Sequence, residues 1–316
     1  MFRYSKGGLK MGKMINTKKK RTLSKRGMSD KTFDAIVMAI MIGFLIIVLY
    51  PIIYVVSSSL SSGVAVTSGR VILWPVEFSV RGYQIVFSNK QIWTGYANTI
   101  FYTVGATLFG LLSIILTAYP LSRRNFQWRN FYAWYFIIPM YIGGGIIPSY
   151  ILMSNLGLVD TRLFMIISGA VGMSNVILMR TYFQSSIPGE LLESAKMDGI
   201  SDFGFLIKII LPLSKAVISV VTLYLIVGEW NSYFTAMIYL RDEAKWPLQM
   251  ILRQILATST MNATQVQDAS LFAELSSQAD VMKYALIVVS TVPMIIIYPF
   301  VQKFFEKGVM IGSVKG

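Results

Sequence analysis

Residues 193–216 read Glu-Ser-Ala-Lys-Met-Asp-Gly-Ile-Ser-Asp-Phe-Gly-Phe-Leu-Ile-Lys-Ile-Ile-Leu-Pro-Leu-Ser-Lys-Ala. This polar stretch hangs between apolar segments of about 20 residues, the length that carries an α-helix across ~30 Å of hydrocarbon. Six such segments lie at about 35–56, 94–119, 131–152, 163–183, 216–239 and 284–301. The 316-residue chain is 54% apolar and 14% charged, with a mean hydropathy of +0.59. A soluble domain does not have that balance, so the sequence predicts an all-α integral membrane protein.

The chain has no Cys and no His. Disulfides and thiolate sites are thereby excluded, and so are the commonest general base and the commonest metal ligand. No catalytic residue, metal site or cofactor is expected on this chain. Gly7-Gly8-Leu9-Lys10-Met11-Gly12-Lys13-Met14 resembles a phosphate loop. Met14 stands where Ser or Thr is required, and no strand and helix frame the motif.

The net charge of +14 is unevenly placed, because residues 1–31 hold eleven Lys and Arg against the single acid Asp30. A basic segment ahead of an apolar span is the signature of a cytoplasmic flank, not of nucleic-acid binding. It is too long, and the run after it too long, for a secretory leader, so residues 1–33 are expected to stay as a cytoplasmic tail. Of the 29 Lys and Arg, 21 lie in that tail and in 121–130, 180–215 and 303–316, and eight lie in or at the edges of the opposite connections. Six crossings with both termini and the 193–216 stretch in the cytoplasm follow from that asymmetry. Residues 34–316 then form one transmembrane domain, with a core of about 94–302, a cytoplasmic loop at 184–215 and a cytoplasmic tail at 303–316. The long outer connections, 57–93 and 240–283, suit either docking of an external partner or cover over helix ends.

Within the loop, Pro188 is suited to open a short helix, with Glu190 and Glu193 near its positive end. Leu191, Leu192 and Ala195 share one face, Gly199 is suited to end the helix in the left-handed conformation, and Ser201 to cap a second helix running to Pro212. Residues 188–202 contain Lys196 alone against Glu190, Glu193, Asp198 and Asp202. A helix resting on lipid shows the opposite bias, so this piece is shaped as a knob for a soluble partner.

The spacing of Glu193, Ala195, Asp198, Gly199, Leu211 and Pro212 resembles the "EAA" loop of ABC-importer permeases. Ile187-Pro188-Gly189-Glu190, Gly228-Glu229-Trp230-Asn231-Ser232-Tyr233-Phe234 and the C-terminal Lys307-Gly308-Val309-Met310-Ile311-Gly312-Ser313-Val314-Lys315-Gly316 extend the likeness over nearly all of the chain from about residue 33. It is similar to type I carbohydrate-importer permeases with the MetI-like fold, to the smaller maltose-importer permease, and more closely to the LplC-type oligosaccharide permeases. Departures are Ser194, Ile200, Leu206 and Ala216, none of which removes a charge or the turn glycine. The resemblance implies a multi-pass subunit of a bacterial cytoplasmic membrane importer. Its expected partners are a second homologous permease, two ATP-binding subunits that hold ATP and magnesium, and an extracytoplasmic solute-binding protein, with membrane lipid around it and no nucleic acid. It further implies ATPase coupling through Glu190, Glu193, Ala195, Asp198, Gly199, Leu211 and Pro212, an ion pair from Glu193 to the ATPase, and a C-terminal tail within reach of the ATPase dimer.

Substrate-path candidates follow from polar residues inside the spans. Glu229 sits in an apolar run, where an acid costs about 2.5–3.5 kcal/mol unless water or a partner rescues it. It serves either a substrate path or a structural hydrogen bond with Asn231, Ser232 or Tyr233. Pro139, Gly143-Gly144-Gly145 and Pro148 should interrupt the third span, either as a gate around Gly144 or as a close helix contact. Asn98 and Tyr141 complete the set. An ion-coupled secondary transporter is the alternative function; such folds tend to show internal repeats and several buried ions, and neither is visible here.

Overall fold

The computed structural model describes the backbone of residues 28–264 and 269–313, and the side-chain surroundings of 31–258, 275–299 and 302. The phosphate-loop-like stretch, nearly all of the basic segment and Val314-Lys315-Gly316 lie outside the described residues. All regular structure among the described residues is helical. The chain divides into two units, Met1–Pro51 and Ile52–Gly316. The described part of the first is α1 (Met28–Ser59) as far as Pro51. Its side chains from 31 to 51, Gly43 aside, are exposed, and most are apolar, as a helix facing hydrocarbon requires.

In the second unit, α2 (Gly63–Thr67) and α3 (Arg81–Ser88) precede the long α4 (Lys90–Ser122). Asn89 starts α4 by accepting the Gln91 N–H on its side chain, and thirty-three residues of high mean hydropathy carry it onward. α5 (Arg129–Tyr141) and α6 (Ile146–Asn155) follow, bent by 116° across the glycines. The interruption expected from Pro139 and Gly143–Gly145 is therefore present. α7 (Arg162–Ser168) and α8 (Met173–Ser186) meet at 45°, so the expected single span at 163–183 is two helices. The break falls at Gly169-Ala170-Val171-Gly172, where two glycines lower helix propensity. Here α4 approaches so closely that a Cβ on Gly110 would lie 2.4 Å from the Ala170 carbonyl oxygen.

The polar stretch forms α9 (Gly189–Met197), α10 (Asp202–Phe205), one π-helical turn at Leu206–Ile210 and α11 (Leu211–Leu213). α12 (Lys215–Trp230) leaves at 83°. Pro212 explains the irregularity, because it lacks the N–H that would continue the regular ladder. After α13 (Tyr233–Tyr239) and a 3-10 turn at Glu243–Lys245, α14 (Leu248–Thr264) and α15 (Ala269–Ser313) complete the unit. The 240–283 connection is thus largely helical, not loop. Pro247 sets the start of α14, and Leu248, Ile251 and Leu252 bury one helical face with α4 and α15. α15 extends beyond the expected 284–301 toward its N-terminus because no Gly or Pro interrupts 269–292, and runs on to Ser313 with Pro293 and Pro299 inside it.

Three helical stretches, Lys31–Ser59, Lys90–Ser122 and Leu275–Pro299, are each long and apolar enough to cross a bilayer. The pairs α5–α6, α7–α8 and the 202–230 stretch each supply the apolar length of a further bent span. The largest core gathers Ile114 and Ala118 of α4, Met179 and Phe183 of α8, Ala195, Phe205 and Val221. It positions the site: the polar stretch is packed onto the ends of α4, α8 and α12, not hung loosely from them.

Candidate functional site

α9 leaves its acids exposed. Glu190, Glu193 and Asp198 are exposed while Ala195, on the same helix, is buried with 3% exposure. Pro188 occupies the N-cap, one position before the first helical residue, and Glu190 lies in the first turn, where the helix dipole favours an anion. The helix ends in a Schellman motif. The Ile200 N–H donates to the Ala195 carbonyl at 2.9 Å and the Gly199 N–H donates to the Lys196 carbonyl at 3.1 Å. Gly199 holds φ at +73°, the left-handed region that a residue without Cβ enters freely. Ser201 then caps α10, accepting the Gly204 N–H at 3.1 Å. Tyr119 of α4 donates to the Asp202 carbonyl at 2.9 Å and fastens α10 below. Leu211 and Pro212 stand just before the 83° corner into α12. Sequence reasoning missed Met197 and Phe203, which are 85% and 63% exposed beside these acids and give the knob apolar tips.

A second cluster holds the connection between α13 and α14. Asp160, at φ +61°, accepts the N–H groups of Arg241 and Asp242 at 3.1 Å each and pairs with the Lys245 ammonium at 3.0 Å. Desolvation alone would raise the Asp160 carboxyl. The Asp242 N–H, Lys245 and the Arg241 N–H outweigh it and hold the carboxyl below its ordinary value. Asn98 donates its amide to the Ala244 and Trp246 carbonyls at 2.8 and 3.0 Å, and Tyr102 donates to the Lys245 carbonyl at 2.8 Å. The Asn98 amide, a substrate-path candidate in the sequence, is committed to holding this loop.

Glu229 of α12 is 8% exposed and accepts a hydrogen bond from Ser232 Oγ at 3.2 Å. It lines a cavity of about 560 Å³ with Ser168, Asn175, Tyr224 and Thr235, and with Ser149 from α6 beyond the glycine break. The lining contains no Lys or Arg. Of the six path candidates, Glu229 alone lines it. Asn231 turns its amide back to the Val227 carbonyl at 2.8 Å, and the Tyr233 ring lies 4.8 Å beneath the Arg253 guanidinium. Tyr141 is 79% exposed, and a Cβ on Gly144 would meet nothing within 4 Å. Asn175 and Tyr224 were legible only as ordinary polar residues of a membrane helix.

Residues 106–311 match the family described as the binding-protein-dependent transport system inner membrane component. The chain belongs to this family. It is 37% identical over 289 residues to the polygalacturonan/rhamnogalacturonan transport system permease protein YtcP of Bacillus subtilis (strain 168), covering 92% of this chain and all of that one. Protein LplC of the same organism is 38% identical over 288 residues, covering 91% and 96%. Among solved structures, a chain of a bacterial ABC transporter involved in the import of the acidic polysaccharide alginate superimposes with a TM-score of 0.78. It shares 40% identity over 88% of this chain and 98% of that chain. The membership confirms the resemblance drawn from the motifs and makes the protein a membrane component of a transport system, not a catalytic subunit.

Proposed function

We propose that this protein is a permease subunit of an ABC importer that carries an oligosaccharide across the cytoplasmic membrane of a bacterium by alternating access. Relatives named for polygalacturonan, rhamnogalacturonan and alginate support a sugar polymer fragment, of plant or algal origin, as cargo. In this reading the chain crosses six times with both termini inside. Residues 1–33 are a cytoplasmic tail and 34–316 one permease domain with its core at about 94–302. A second homologous permease completes the path, two separate subunits bind ATP and magnesium, and an external binding protein delivers the sugar. Nothing in the family or its relatives supports the ion-coupled alternative.

The observation that carries the proposal is α9 and its C-cap, with three exposed acids and a buried alanine, stopped by a left-handed glycine and followed by α10, which Tyr119 fastens to α4. Closure of the ATPase pair pulls Glu190, Glu193 and Asp198, and the rigid stretch through Gly199 to Leu211 and Pro212 passes the movement into α12, which bears Glu229. Tyr141, Gly144, Asn231 and Tyr233 remain path candidates for the assembled complex, while the Asn98 amide holds the 244–246 connection. Replacing Glu193 by Lys reverses the charge offered to the ATPase. Gentle-detergent purification is expected to recover the ATPase with the wild type and to lose it with Glu193→Lys, while the variant stays in the membrane. Equal recovery from both, or labelling of residue 198 from outside the cell, would overturn the proposal.

A further inference from the structure

A further cleft shares no lining residue with the Glu229 cavity. It measures about 730 Å³ and opens between the α4–α5 connection, the end of α8 and α9. Arg123, Arg124, Arg129, Arg180 and Lys196 line it, against Glu190 and Glu193. None of the five cations forms an ion pair among the described residues. Arg123 is the most constrained. Its guanidinium lies 5.0 Å from the Tyr119 ring centre and 5.4 Å from that of Phe205, and its Nε and Nη2 are buried without a hydrogen-bond partner. Desolvation lowers its pKa and outweighs the opposing pull of Tyr119 and Asp202. Arg180 gives its Nε to the Leu121 carbonyl at 3.1 Å, at the C-terminal end of α4.

The cleft adjoins a belt of exposed aromatics. Trp128, Phe131, Trp134 and Tyr135 are each more than 60% exposed, and Arg129 lies within their run. Alternating basic and large aromatic side chains at the start of an apolar helix marks the headgroup level of a bilayer. An anion supplied there is a lipid phosphate, and basic recesses between helices on the cytoplasmic side accept such headgroups. We propose that this cleft binds the phosphate of an anionic phospholipid. The acids of its α9 wall are the same groups offered to the ATPase, so docking of that subunit leaves the five cations less opposed and tightens the lipid. The site itself depends on membrane insertion, not on the identity of the sugar.

The test uses the whole importer in nanodiscs of phosphatidylcholine with added phosphatidylglycerol, with native mass spectrometry counting the phosphatidylglycerol retained on this chain. The Arg124 and Arg129 side chains make no hydrogen bond or ion pair within the described residues, so Arg124→Gln with Arg129→Gln removes charge without removing a side-chain contact of that kind. Each cation contributes about five-fold, so the double variant is expected to lower selective retention by about 30-fold. Should the double variant fail to assemble, Lys196→Gln is expected to lower it about five-fold. Equal retention by wild type and variants overturns the proposal. Release of the lipid from the wild type by inorganic phosphate assigns the cleft to a soluble anion and overturns it too. So does protection of these arginines from an arginine reagent by the ATPase subunit but not by phosphatidylglycerol, which makes the cleft a protein contact.

Discussion

Replacing Gly199 tests the coupling element with one term changed at a time. A Cβ built on Gly199 meets nothing within 4 Å, so the Cβ itself introduces no clash. What changes is the backbone. At φ +73° an L-residue crowds its Cβ against the carbonyl, at about 1–2 kcal/mol, and a β-branched Val stands at the upper end of that range. Asn tolerates the left-handed region and serves as the control, with Cβ present and strain nearly absent. About 2 kcal/mol is roughly 30-fold in the population of the closed Schellman turn. That turn rests on two hydrogen bonds and the burial of Ala195, so strain of this size is enough to fray it. In proteoliposomes of the complete importer, Gly199→Val is expected to lower ATP-driven uptake by an order of magnitude or more. Gly199→Asn should stay within about two-fold. Membrane levels of both should match the wild type, because the glycine lies on the surface of the loop. Equal uptake by the Val and Asn variants would refute the claim that the left-handed turn holds the ATPase-facing shape.

Glu229→Gln keeps the volume and an oxygen for Ser232 but removes the charge. If the carboxylate meets the sugar, uptake should fall about ten-fold with no change in protein level, since a hydrogen bond to a charged group contributes about 1.5–3 kcal/mol. A silent Gln with a destabilised Glu229→Leu would show a structural bond instead. At the outer connection, Asp160→Ala deprives two N–H groups and Lys245 of their acceptor and should lower the melting midpoint of the purified complex by a few degrees. The Asp160 carboxyl lies below its ordinary value, so its contribution is full above that value of 3.8 and is lost as pH falls through the depressed one. Melting curves should therefore converge for wild type and Asp160→Ala in strong acid and separate near neutrality; a constant gap at all pH would refute the role of this carboxylate.

The polar stretch was legible because its features are local. A proline N-cap, an acid in a first turn, a glycine in the Schellman position and a serine cap are fixed by residues at most six apart, and the structure places each within one residue of its expected position. The glycine break after α5 was legible for the same reason. What escaped was set by residues distant in sequence. Asn98 is an ordinary amide until α4 meets the 244–246 loop almost 150 positions later. The Glu229 cavity takes walls from α4, α6, α7, α8, α12 and α13. Helix α14 was read as loop because its apolar face is short and interrupted by polar residues, and its helical form is supported by packing on α4 and α15. Arg123 escaped because a Lys/Arg count records side, not burial.

The glycine triplet shows how far one chain carries the argument. Two readings, a gate and a close helix contact, stood equal in the sequence. A Cβ on Gly143, Gly144 or Gly145 meets nothing within 4 Å, and no residue of α5 or α6 is buried. The contact reading therefore has no partner among the described residues, although Gly110 shows what such a contact looks like, with the Ala170 carbonyl 2.4 Å from the position of its missing Cβ. At membrane depth an interrupted backbone must be covered by protein or face water. In the proposed assembly the cover is the second permease and the water is the sugar path, and α6 already turns Ser149 into the Glu229 cavity. Both original readings then describe one place: a break whose outer side closes on the partner and whose inner side lines the route.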